Sequence, residues 1–277
     1  MTDLAAPRPA GVSLVRPRPV ADPTLRLFLL HHAAGSHLAY TAWAPLFPED
    51  WDVCLLEAPG RGTLGHLPPY ESAPELAGFF LDDVEGLLDV PFALFGHSMG
   101  GLVAYEMTVQ LAARGLPAPV WLGVSACEAP YGEHLPDQIR LHTLPAPELR
   151  TALAEMGGLP SALLEDEDVW AVFEPRVRAD FAVTERWRPH PGAAGRVSVP
   201  LSLFGGEDDT VVPVDALTAW ADGAERLVGQ HLFPGGHFYF QGQEASLVAQ
   251  LELELDGLLP RAPRTRAGQR AAGPVRW

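Results

Sequence analysis

Residues 91–101 read Pro-Phe-Ala-Leu-Phe-Gly-His-Ser-Met-Gly-Gly. Phe92 to Phe95 form a short, wholly apolar run closed by glycine, the pattern of a strand buried on both faces. The residues that follow, with Leu102, Met107 and Leu111, read as a helix. Between the two elements lies Gly96-x-Ser98-x-Gly100, a serine at a tight strand-to-helix turn. Glycine flanks it because a side chain there would collide with the neighbouring strand and helix. Such a turn holds Ser98 in a strained conformation and exposes its hydroxyl at the helix N-terminus, where free N–H groups favour developing negative charge.

Outward from this turn the same rhythm repeats. Apolar runs occupy 25–30 (LRLFLL), 51–56 (WDVCLL), 120–125 (VWLGVS), 200–205 (PLSLFG) and 226–233 (RLVGQHLF), with helical patterns at 73–88 and 99–113. Alternating strands and helices imply a mostly parallel, doubly wound sheet covered on both faces. Residues 132–190 break the rhythm, with no strand pattern and two helical ones. The first runs from Pro147 to Met156, with Leu149, Leu153 and Met156 on one face and Gly157 as its stop. The second starts at Asp166 as N-cap and places Val169, Phe173, Val177 and Phe181 four apart, with Pro175 expected to kink it. The interval reads as a helical insertion over the C-terminal edge of the sheet. The expected organisation is therefore a tail over 1–22, a core over 23–131 and 191–259, the insertion over 132–190, and a second tail over 260–277.

Composition narrows the function. The 277 residues are 47% apolar, enough to bury a sizeable core, and no run approaches the roughly 18–20 apolar residues of a membrane span. The N-terminus lacks the apolar stretch of a secretory signal, so a cytoplasmic chain is expected. A net charge of −16 argues against a nucleic-acid partner. All nineteen basic residues are Arg, and five lie in the acid-free segment 260–277, which reads as a solvated end. Cys54 and Cys127 stand in apolar surroundings without metal or redox spacing and read as buried thiols.

A serine at its free pKa is a poor nucleophile, so the turn at Ser98 calls for a base and an orienting acid downstream, in the order Ser, Asp, His. After the 200–205 run comes Gly205-Gly206-Glu207-Asp208-Asp209, where loop spacing favours Asp209, with Asp208 and Glu207 as rivals. After the last strand comes Pro234-Gly235-Gly236-His237-Phe238, which brings His237 to the same edge of the sheet as the base. His231, inside the strand pattern, reads as structural. An oxyanion hole needs two backbone N–H groups. Met99 supplies one, and the loop His31-His32-Ala33-Ala34-Gly35-Ser36 supplies the other from Ala33, with Ala34 as rival. The paired histidines lack a third ligand at metal spacing, and neither a metal nor another cofactor is expected. These features describe a serine-nucleophile enzyme of the α/β-hydrolase fold.

The sequence then resembles a known family, the stand-alone type II thioesterases that accompany polyketide synthases and nonribosomal peptide synthetases. The resemblance spans roughly residues 24–257. It rests on His32-Ala33-Ala34-Gly35-Ser36, Ala58-Pro59-Gly60-Arg61-Gly62, Gly96-His97-Ser98-Met99-Gly100-Gly101, Arg178-Ala179-Asp180-Phe181, Gly205-Gly206-Glu207-Asp208-Asp209 and Pro234-Gly235-Gly236-His237-Phe238-Tyr239-Phe240. It implies hydrolysis of acyl groups from the phosphopantetheine arm of acyl or peptidyl carrier proteins, a lid formed by the insertion, the triad Ser98, Asp209 and His237, and oxyanion donors Ala33 and Met99. The family usually reads Pro-His-Ala-Gly-Gly where this chain has His31 to Gly35, and often carries a second Arg where Leu64 stands. Because carrier proteins are acidic too, a local positive rim is expected, with Arg61, Arg140 and Arg176 as candidates. With no carrier-like segment before Thr24, a free-standing monomer is expected. Two other classes fit the same residues: a carboxylesterase or lipase acting on small oxygen esters, and a noncatalytic binding protein, against which the intact Ser, Asp and His argue.

Overall fold

The computed structural model describes residues 12–129, 140–188 and 197–259, and among these each of the six apolar runs is a strand. The strands are β1 (Leu14–Val15), β2 (Leu25–Leu30), β3 (Trp51–Leu56), β4 (Phe92–His97), β5 (Trp121–Ser125), β6 (Leu201–Gly206) and β7 (Leu227–Phe233). The helices are α1 (Leu38–Thr41), α2 (Ala73–Val84), α3 (Met99–Arg114), α4 (Ala146–Met156), α5 (Ser161–Glu165), α6 (Glu167–Glu185), α7 (Val214–Thr218) and α8 (Glu244–Asp256). The sheet order is β1-β3-β2-β4-β5-β6-β7, parallel except for β1, which runs antiparallel to β3. This is the mostly parallel, doubly wound sheet of the α/β-hydrolase fold.

The period-2 geometry of a strand sorts the apolar runs into two cores. Along β2, Leu25, Leu27 and Leu29 face a core shared with Trp43 and with Leu247 and Leu251 of α8. Phe28 and Leu30 face the opposite core, with Phe80 of α2 and Val103 and Met107 of α3. Arg26 occupies the alternate position, where bonds to Asp52 and Asp89 offset the loss of hydration.

Residues 12–22 are not the tail expected over 1–22. Leu14 and Val15 pair with Leu56 and Leu55, Arg16 forms an ion pair with buried Asp52, and Arg18 donates to the Phe47 and Pro48 carbonyls. Two-residue edge pairing takes its stability from the partner strand, so the Pro- and Arg-rich sequence carries no periodic trace of it. Residues 1–11, the 260–277 segment, and residues 130–139 and 189–196 around the expected insertion lie outside the described residues.

Helices α4, α5 and α6 build a third core from Leu149, Leu153, Leu164, Trp170, Phe173, Val177 and Phe181. Asp166 caps α6 by accepting from the Asp168 and Val169 N–H groups, both at 3.0 Å. Four-residue steps overshoot the 3.6-residue turn, so one end of the expected face drifts off it. Val169 is accordingly 39% exposed, and Trp170, 2% exposed, takes the inward place. The helix continues through Pro175, which lies on its exposed side. Truncating Phe173 to Ala should cost about 3–5 kcal/mol by denaturant unfolding, whereas Val172→Ala, at a position 82% exposed, should stay within about 0.5 kcal/mol. Equal losses at the two positions would contradict this helix phase.

Candidate active site

The sheet sets the stage because its order reverses at β2: the chain moves outward to β3, then crosses back to β4. The crevice beyond the C-terminal ends of β2 and β4 is therefore a topological switch point, where open α/β sheets bind ligands. Backbone contact is extreme here. A Cβ added at Gly96 would lie 2.0 Å from the Gly100 oxygen, and one at Gly100 would lie 2.2 Å from the Leu30 oxygen. Ser98, caught between them, has φ 55° and ψ −119°, far from the conformations an L-residue prefers. Its N–H donates to the Ser125 carbonyl at 2.7 Å. Met99 opens α3, so its N–H is among those a helix leaves unpaired.

The β6 and β7 loops approach as tightly. A Cβ at Gly206 would stand 2.3 Å from the Gly236 oxygen, and Asp208 N–H donates to the Gly235 carbonyl at 2.9 Å. This contact joins Asp209 to His237: Nδ1–H of His237 donates to Oδ2 of Asp209 at 2.9 Å, leaving Nε2 as the proton acceptor. Oδ1 of Asp209 accepts from Val211 and Val212 N–H at 2.8 and 2.9 Å. Burial works to raise the Asp209 carboxyl, but the His237 hydrogen bond and charge, with the two amides, outweigh it and hold the pKa below the usual carboxylate value. The rivals Asp208 and Glu207 are exposed.

In the loop after β2 the two candidate donors stand differently. Ala34 N–H donates to Oδ2 of Asp180 at 2.8 Å and is thereby committed, whereas Ala33 N–H meets no acceptor among the described residues. Ala34 has φ 61°, a left-handed conformation that costs an L-residue about 1–2 kcal/mol. The position is one where the resembling family carries glycine. Arg61 is not part of a positive rim: it is 2% exposed and its guanidinium grips Asp180 through two bonds, at 2.6 and 2.8 Å. Arg176 is half-buried with its guanidinium 4.0 Å from the centre of the Phe173 ring, and Arg140 is exposed. Pairing with a carboxylate from a distant helix is invisible in sequence, so Arg61 looked available.

Buried histidines surround the base. His31 donates from Nδ1 to the His32 carbonyl and accepts the Ala58 N–H at Nε2; His32 donates from Nδ1 to the Ala33 carbonyl. The pair is thus engaged with backbone, and no group of three or more His, Cys, Asp or Glu among the described residues could hold a metal ion. Burial lowers His32 to about 4 and carries His31 and His97 well below the ordinary imidazole value. The His97 ring lies 5.0 Å from that of His237 and bonds to Ser125 Oγ at 2.8 Å. Cys54 and Cys127 are buried, with their thiols pushed up to about 12 by burial, so neither is a nucleophile near neutral pH.

Ser98 and His237 line one cavity of about 430 Å³. Its other walls include Leu102, Met156, Phe181, Trp187 and Val212, with Glu128 and Glu185 as carboxylates. Met156 and Phe181 come from the insertion, whose Gly158 presses so close to the Phe238 ring that an added Cβ would lie 2.3 Å from it. Of the walls, the helical spacing of the sequence marked Phe181 and Met156 as inward-facing; Trp187 and Val212 gave no periodic signal.

A family model described as Thioesterase domain matches residues 25–253. The chain is 29% identical over 225 residues to the gramicidin S biosynthesis protein GrsT of Aneurinibacillus migulanus, covering 81% of this chain and 86% of that protein. Among solved structures, the type II thioesterase YbtT from the yersiniabactin pathway aligns with TM-score 0.79 and 29% identity, over 90% of this chain and all of that one. The thioesterase RedJ from the prodiginine pathway of Streptomyces coelicolor aligns with TM-score 0.75 and 31% identity, over 91% and 90% of the two chains.

The lowered histidines set a pH dependence. Each is neutral when folded and takes up a proton below 6.5 when unfolded, so stability is full above pH 6.5 and is lost as pH falls toward the folded value, about 4 for His32. Each such group contributes up to about 1.4 kcal/mol per pH unit in that window. Guanidinium midpoints should therefore drop between pH 7 and pH 5; a flat midpoint would show that these imidazoles are not held neutral.

Proposed function

We propose, on the premise that this chain belongs to the thioesterase-domain family, that it is an editing hydrolase of the type II kind. It releases acyl groups from the phosphopantetheine arm of acyl or peptidyl carrier proteins and so clears stalled or wrongly loaded chains in polyketide and nonribosomal peptide assembly. The observation that carries this reading is the 2.9 Å bond from His237 to Asp209 in the wall of the cavity that Ser98 also lines. In this reading the chain works as a monomer in the cytoplasm, without a metal or organic cofactor.

The chemistry follows from the placement of each group. Asp209 fixes the Nδ1–H tautomer of His237, whose Nε2 takes the Ser98 proton as the hydroxyl oxygen attacks the thioester carbon. The carbonyl oxygen becomes anionic between the Ala33 and Met99 N–H groups, which cost no reorganisation because the backbone already holds them. Collapse expels the pantetheine thiolate, which the imidazolium protonates, and leaves an acyl-Ser98 ester. His237 then draws a proton from water, the hydroxide attacks the ester, and the free acid departs as Ser98 recovers its proton. The mostly apolar cavity takes the acyl chain, and helices α4 to α6 act as its lid. Of the three arginines expected at a rim, Arg140 is the exposed one and the candidate contact for an acidic carrier.

Hydrolysis of matched acyl-pantetheine, acyl-carrier and p-nitrophenyl substrates tests the reading. Ser98→Ala and His237→Ala should each lower kcat by about three orders of magnitude or more with carrier-bound thioesters preferred by the parent enzyme. A Ser98-dependent preference for oxygen esters would make the protein a carboxylesterase, and undiminished turnover in Ser98→Ala would remove the serine mechanism.

A further inference from the structure

Three segments far apart in the chain end on one carboxylate. Asp180, on α6, is 1% exposed. Its Oδ2 accepts the Ala34 N–H and one Arg61 nitrogen, each at 2.8 Å, and its Oδ1 accepts the other at 2.6 Å. The first Arg61 nitrogen also donates to the Gly35 carbonyl at 2.8 Å. One ion pair thus holds both an N–H and a C=O of the loop that follows β2, and Ala34 packs into the core of the insertion rather than into either core of the sheet. A buried ion pair adds little stability over well-packed apolar side chains. What apolar side chains lack is an acceptor for Ala34 N–H, which fixes a residue in a left-handed conformation that its surroundings must impose.

We propose that Asp180 is a positioning residue for the oxyanion loop: by accepting the Ala34 N–H it orients the preceding amide, that of Ala33, toward the site where the substrate oxygen gathers charge. This rests on the assignment of Ala33 and Met99 as oxyanion donors. It makes α6 part of the catalytic machinery as well as a cover. The helix that contributes Phe181 to the acyl cavity sets, one residue earlier, the geometry of the donor. An α6 displaced from the sheet takes the acceptor with it.

The test separates positioning from stability by making them move in opposite directions. The double variant R61M/D180L removes both buried charges and the acceptor, leaving no charge buried alone, so it should melt no lower than D180N, which strands the Arg61 charge beside a neutral amide. Its kcat should fall about 10- to 100-fold with KM within about threefold, as expected when an oxyanion donor is misaimed. D180N keeps an acceptor for Ala34 N–H but weakens the grip on Arg61; it should melt lower yet retain kcat within a few-fold. A boronic acid that forms a tetrahedral adduct on Ser98 provides a second readout, because its inhibition constant should weaken by the same factor as kcat in each variant. If kcat instead tracks melting temperature across the variants, or falls with no change in boronate affinity, Asp180 is a structural residue and the proposal is overturned. Should the double variant fail to fold, Asp180→Ala assayed below its melting temperature gives the same kcat-to-boronate comparison. Ser98→Ala assayed in parallel distinguishes the two levels: if it remains active the site assignment itself fails, whereas an inactive Ser98→Ala beside a fully active R61M/D180L overturns the role of Asp180 alone.

Discussion

Backbone meets backbone where α3 begins, and the rest of the site depends on that contact. At Gly96 and Gly100 there is no room for a Cβ, because β4, the end of β2 and the first turn of α3 occupy the same small volume. This closeness forces Ser98 into its strained conformation and lifts it to the start of a helix. It also sets the Met99 N–H beside the end of β2, from which the loop carrying Ala33 departs. A second contact of the same kind, between Gly206 and the Gly235–Gly236 turn, brings Asp209 under His237. Close approach of main chain therefore places Ser98 and His237 on one cavity.

Around this frame each buried charge has its own partners. Asp209 keeps its charge in a buried place because His237 and two amides repay its lost hydration. The neighbouring imidazoles of His32 and His97 are held neutral by burial, so His237 becomes an imidazolium without a second positive ring beside it. The other fully buried charged pair near the loop, Arg61 and Asp180, closes on itself and on the backbone. The net charge of −16 bears on which partner surfaces can approach.

The insertion is joined to the sheet through function-bearing residues. Ala34 sits in its core, Gly158 presses on the ring of Phe238 next to His237, and Met156 and Phe181 wall the cavity. The insertion thus meets the loop after β2, the residue beside His237 and the cavity together. Trp187, beyond the end of α6, adds a further wall while its indole N–H bonds to the buried Glu106 of α3.

Local patterning determined the strands, most helices and the candidate reacting groups. A doubly buried strand has to be continuously apolar, an elbow has to carry glycine on both sides of its serine, and Asp166 before an amphipathic run has to cap a helix; each constraint acts within a few residues and so is written in them. Spacing left Glu207, Asp208 and Asp209, and Ala33 and Ala34, as rivals, and what tells them apart is spatial: His237 bonds to Asp209, and Asp180 takes the Ala34 N–H. The edge pairing of β1, the burial of Arg61 and the work of Asp180 left no trace in periodicity, because each depends on a partner far along the chain, such as Leu56 for Leu14 or Asp180, 119 positions on, for Arg61. Sequence alone determined which side chains could do the chemistry; the tertiary structure decided which of them meet, since long-range hydrogen bonds and ion pairs select their partners by packing and not by pattern.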